Sequence, residues 1–105
     1  MNQRVVIYAR TDDEDETRIN EQVTICQKYV NNNNLEVVNI FKEYSYSNTS
    51  IKRPLLDFAI TECQLNNIDT ILIADKYIIG SNKDIIVHFV ELAKAKNVTF
   101  TNLAL

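Results

Sequence analysis

The feature that most constrains the fold is the run Val5-Val6-Ile7, apolar without alternation and only a few residues from the start of the chain. A strand that is apolar on both sides must be covered on both faces, which points to a parallel sheet between helical layers. The rest of the chain repeats the theme. Arg4 to Tyr8 reads as the first strand, Leu35 to Phe41 as the second, Ile68 to Ala74 as the third and Val98 to Leu103 as the fourth. Helical spacing fills the gaps. Ile19, Val23, Cys26 and Val30 share one face over Thr17 to Val30, and Asn31 to Asn34 form the turn that ends it. Pro54 suits a first helical turn, and Leu55, Phe58, Ala59 and Cys63 continue a stripe to about Asn66. Ser81 or Asn82 can cap a third helix with Ile85, Ile86, Phe89, Val90 and Ala93 inward, ending near Lys96. Alternating strands and helices predict one three-layer α/β/α domain spanning residues 1–105, around a mostly parallel sheet of four to five strands.

Composition narrows the function. The formal net charge is −3 with no basic run, so the domain is expected to hold DNA only weakly or through a partner. Gly80 is the single glycine, which excludes a phosphate-cradling glycine loop and a dinucleotide fingerprint. Cys26 and Cys63 fall inside helical patterns and read as buried, reduced thiols. His88 is the only histidine, one step off an apolar stripe, and reads as an exposed helical residue. A Cys/His zinc site is therefore set aside, and no cofactor is expected. No apolar run approaches the ~18 residues of a membrane span, and Met1 to Val6 opens no signal sequence. A cytoplasmic protein without membrane contact is the expectation.

In a sheet of this kind ligands gather at the carboxyl ends of the strands. Those ends are Arg10 to Asp13, Glu43 to Ser47 and Asp75 to Ser81. They also carry a resemblance. Tyr8-Ala9-Arg10-Thr11-Asp12 looks like the Tyr-x-Arg-x-Ser signature that opens the resolvase and invertase serine recombinases. Glu21-Gln22, then Glu43, Tyr46-Ser47 and Ile51-Lys52-Arg53-Pro54 follow in that family's order, and the third strand falls in register with its counterpart.

The resemblance implies the resolvase-like fold and a chemistry in which a serine hydroxyl attacks a DNA phosphodiester within a tetramer. Arginines would neutralise the charge that builds on the phosphate. The relic pocket it implies is Tyr8, Arg10, Asp12, Gln22, Glu43 and Arg53, with Asp12 at the serine position. The family's Asp-Arg-x-x-Arg motif falls on Tyr77, Ile78 and Ser81, so no residue there is expected to be catalytically functional. Thr11 and Ser81 are nearby hydroxyls outside the expected slot. The long dimer helix and DNA-binding region of the family are not seen in the sequence.

The expected function is thus that of an inactive site-specific recombinase domain with a regulatory role. Its expected partner is a protein, either a full-length serine recombinase or a second copy. The alternative is a receiver-like, Mg²⁺-dependent acidic pocket on Asp12, Asp13 and Asp75, against which stands a solvated acidic loop from Asp12 to Glu16. Arg10 and Arg53 are expected to pair with Glu43 or Asp12, with weak phosphate binding as the other reading. Tyr77, Ile78 and Ile79 either pack inward or form a small patch for a partner.

Overall fold

The computed structural model describes residues 2–104. Four strands, β1 (Arg4–Arg10), β2 (Glu36–Glu43), β3 (Thr70–Ile73) and β4 (Thr99–Asn102), alternate with helices α1 (Glu16–Asn32), α2 (Pro54–Leu65) and α3 (Lys83–Lys94). A short 3₁₀ turn, Lys76–Ile78, follows β3. The sheet order is β2-β1-β3-β4 and each neighbouring pair is parallel. Side chains alternate between two cores, as the period of a strand demands. Val5, Ile7 and Leu72 meet Cys26 and Val30 of α1 on one face. Val6, Tyr8, Ile71 and Ile73 meet α2 and α3 on the other. The three-layer α/β/α expectation holds, with four strands among the described residues.

The chain moves outward from β1 to β2, then returns to place β3 on the other side of β1. That reversal opens a crevice between the carboxyl ends of β1 and β3, where the two crossovers diverge. Edge strand β2 is blunted. Val5 pairs with Val37 and Val6 with Asn39, leaving Val38 as a bulge, and the Ile40 N–H donates to the Asn39 side-chain oxygen at 2.8 Å. A bulge and a self-satisfied amide both discourage pairing with another strand.

Several helical expectations shift by a residue or two. Asn31 and Asn32 belong to α1, and Asp15 from the acidic run caps it by accepting from the Thr17 and Arg18 N–H groups. Asn82, not Ser81, caps α3, accepting from the Ile85 N–H. On α2 the expected stripe is corrected. Phe58 is 52% exposed, while Leu56 and Ile60 join Ala59 and Cys63 in the core. Val90 of α3 is also exposed. Of the doubtful trio, Ile78 and Ile79 pack inward and Tyr77 faces solvent. His88 is exposed and both cysteines are free and buried.

A chain with so little glycine must end its helices another way. Asn34, Asn67 and Asn97 take positive φ of 52°, 56° and 60°, the left-handed residue that terminates each helix. The next amides, of Leu35, Ile68 and Val98, bond back to the carbonyls of Val30, Cys63 and Ala93. This is the Schellman closure with asparagine in the position glycine most often takes. Gly80 is needed for space instead: a Cβ there would lie 2.7 Å from Cγ2 of Ile85. Substituting alanine for Asn67 should therefore lower stability by ~1 kcal/mol, the scale of a left-handed penalty, whereas Asn67→Gly should leave it equal or higher. Urea unfolding midpoints check both.

Candidate functional site

The site is built from the strand ends inward. Arg53 precedes Pro54, and its side chain is fully buried. A buried guanidinium must find acceptors or forfeit several kcal/mol. It donates from Nε to the Ser50 carbonyl at 2.9 Å, from Nη1 to the Ile78 carbonyl at 3.0 Å, and from Nη2 to the Ile79 carbonyl. The plane also sits over the Phe89 ring, 4.8 Å from its centroid, a cation–π contact strengthened by burial. Arg10, at the end of β1, donates from Nε to the same Ile78 carbonyl at 2.9 Å and from Nη1 to the Tyr46 carbonyl at 2.8 Å. Burial pulls its pKa below the ordinary guanidinium value, with neighbouring Arg53 acting in the same direction.

The expected pairing of these arginines with Glu43 or Asp12 is overturned: backbone carbonyls take their donors, and no ion pair to either carboxylate forms. Glu43 serves elsewhere. Buried at the end of β2, it accepts the Tyr8 hydroxyl at 2.6 Å and the Leu55 and Leu56 N–H groups at 2.8 and 3.3 Å. Those amides are free donors of the first turn of α2, so the carboxylate caps the helix in place of its Ncap residue Arg53. Burial, then the charge of Glu43, raises the Tyr8 pKa well above the usual phenol range. Burial likewise pushes Cys26 up to about 12 and Cys63 up to about 11, which makes both thiols poor nucleophiles.

Gln22 of α1 reads the backbone of Arg10 with both ends of its amide, accepting from N–H at 2.9 Å and donating to C=O at 2.8 Å. The structure therefore brings Tyr8, Arg10, Gln22, Glu43 and Arg53 together. It leaves Asp12 at the rim, its side chain 64% exposed and 3.7 Å from Nη1 of Arg18. Arg18 also pairs with Asp13 and Asp15, and sequence reasoning gave it no role. Its position in the first turn of α1, after three aspartates, is the available signal. Thr11 is buried and donates its hydroxyl to Asp13, which together with the Asp15 N–H holds that carboxyl below the usual range.

A cavity of about 210 Å³ lies at the crevice between β1 and β3, lined by Arg10, Thr11, Asp12, Arg18, Asn48 and Asp75 among others. Its charge is mixed, two guanidiniums against two carboxylates. The Asp75 carboxylate accepts from the Tyr77 N–H at 2.8 Å, closing the 3₁₀ turn. Among the described residues no group of three or more His, Cys, Asp or Glu is arranged to hold a metal ion. No described helix is long and apolar enough to cross a membrane.

This arrangement, a β2-β1-β3-β4 parallel sheet with a polar crevice at its switch point, defines a class of α/β domain shared with serine recombinases. The N-terminal catalytic domain of TP901-1 integrase superposes with a TM-score of 0.84 at 20% identity, over 96% of this chain and 78% of that one. The C-terminal catalytic domain of ISC1926 TnpA, an IS607-like serine recombinase, gives 0.81 at 22% identity, over 96% and 70%. A resolvase-family site-specific recombinase from Streptococcus pneumoniae gives 0.80 at 13% identity, over 97% and 72%. No curated protein sequence matches the chain. The family model for the resolvase N-terminal domain matches residues 5–104, and the chain belongs to that family.

The buried guanidinium fork is the feature most open to mutation. Arg53→Lys supplies one ammonium where a planar fork serves three carbonyls, so it should destabilise by about 2–3 kcal/mol, the cost of leaving buried acceptors unmet. Chemical denaturation of the variant against the parent chain measures it.

Proposed function

We propose that this resolvase-family domain no longer cuts DNA and works through contacts with protein, either a full-length serine recombinase or a second copy of itself. One observation carries the reading. The position that the family resemblance gives to the nucleophilic serine holds Asp12, exposed and ion-paired with Arg18.

Electrostatics supports it. A carboxylate 4 Å from a phosphate oxygen is repelled by ~4 kcal/mol at an effective dielectric of 20. Arg53 is fully buried with its donors taken by backbone carbonyls, so of the two relic-pocket arginines only Arg10 lines the pocket to offset that repulsion. The motif after β3 points the same way in either register. Placed on Tyr77, Ile78 and Ser81 it has lost every charge. Placed two residues earlier, directly after the strand, it keeps Asp75, replaces the first arginine with Lys76 and puts buried Ile79 at the second. Each lost electrostatic donor of this kind typically costs on the order of 100- to 1,000-fold in rate. The acidic balance of the chain, −3, disfavours independent DNA binding as well.

Denaturing electrophoresis after incubation with a pool of host genomic fragments tests the loss of chemistry. Neither the chain nor Asp12→Ser is expected to yield a covalent protein–DNA adduct, since serine alone does not restore the missing cations. An adduct from the parent chain would refute the proposal. Light scattering of the chain, alone and mixed with a full-length family member, tests the partner: a dimer or a mixed complex is expected, and a monomer in both samples would count against it.

A further inference from the structure

We propose that the segment Tyr44–Lys52 is a gate over the pocket between β1 and β3, latched by Asn48 and opening as a unit while the sheet stays folded. This holds whether or not the domain has lost its cleavage chemistry. Not one residue from Tyr44 to Lys52 is buried, whereas two of the side chains that hold the segment are. Arg10 grips it at the Tyr46 carbonyl and Arg53 at the Ser50 carbonyl, and both arginines are buried. Asn48 fastens it to the turn after β3 twice: Nδ2 donates to the Tyr77 carbonyl at 2.9 Å, and its own carbonyl accepts from the Ser81 N–H at 2.9 Å. At the near end the Ser45 N–H donates to the Asp13 carbonyl at 2.9 Å, joining the segment to the acidic loop.

Such a segment is held by polar contacts on a rigid floor, without core side chains of its own. Sparse apolar burial with solvent-accessible hydrogen bonds is the physical profile of sub-global opening. Ser45 adds a bias toward release. Its φ of 64° is left-handed, a conformation that serine, unlike glycine, adopts at a cost. Opening withdraws Asn48 from the pocket wall and frees Nη1 of Arg10 from the Tyr46 carbonyl, so the gate sets access to the cavity.

Amide hydrogen exchange on the whole chain, read by NMR across low urea concentrations, tests the gate. In the parent chain the Ser45 and Ser81 amides should exchange at matching rates, faster than the β1 amides and with little urea dependence. Asn48→Ala should accelerate both about tenfold and leave β1 unchanged. Ser45→Gly, which relieves the left-handed strain, should slow both about threefold. The proposal fails if these amides exchange only with the urea slope of β1, or if the two variants move them in the same direction. Should Asn48→Ala prove globally unstable, the parent-chain urea series and Ser45→Gly still decide.

Discussion

The site depends on one buried cation. Arg53 has no exposed surface and no carboxylate partner; three backbone carbonyls and the face of Phe89 surround it. Through those carbonyls and the Phe89 ring it connects the approach to α2, the 3₁₀ turn after β3 and the inner face of α3. Arg10 binds the same Ile78 carbonyl from the other side. Two like charges converge on one acceptor, which is tolerable only because further carbonyls share the load and no buried polar side-chain atom among the described residues lacks a partner.

A second buried charge completes the frame. Glu43 caps α2 and accepts the Tyr8 hydroxyl, so the ends of β1 and β2 and the start of α2 are fixed by one carboxylate. Residues that the family resemblance marks for chemistry thus hold the scaffold together here. That dual use accounts for a pocket whose charged residues persist around an aspartate in the serine position. The scaffold requires the frame whether or not the chain cleaves DNA.

Much of this was legible in the sequence. The unalternating run Val5-Val6-Ile7 signalled a strand covered on both faces, and Pro54 marked the start of α2 to the residue. What escaped were features set by backbone groups. The spacing in the sequence runs the apolar stripe of α2 through Leu55 and Phe58, yet the helix turns Leu56 and Ile60 inward. Its rotation is fixed by Glu43 gripping the Leu55 and Leu56 amides, an interaction 12 residues away in sequence. The arginines were matched with acids because side-chain charges are visible in a sequence. The carbonyls of Tyr46, Ser50, Ile78 and Ile79 that hold them are not.

The central claim is that Arg53 is a structural cation unavailable to a phosphate, its Nη groups held by the Ile78 and Ile79 carbonyls. NMR of its Nη–Hη groups during titration with inorganic phosphate tests it most directly. The account predicts that these signals persist, protected from solvent exchange and unshifted, up to millimolar phosphate. Saturable shifts at Arg53 would contradict it and return this residue to the role of phosphate ligand.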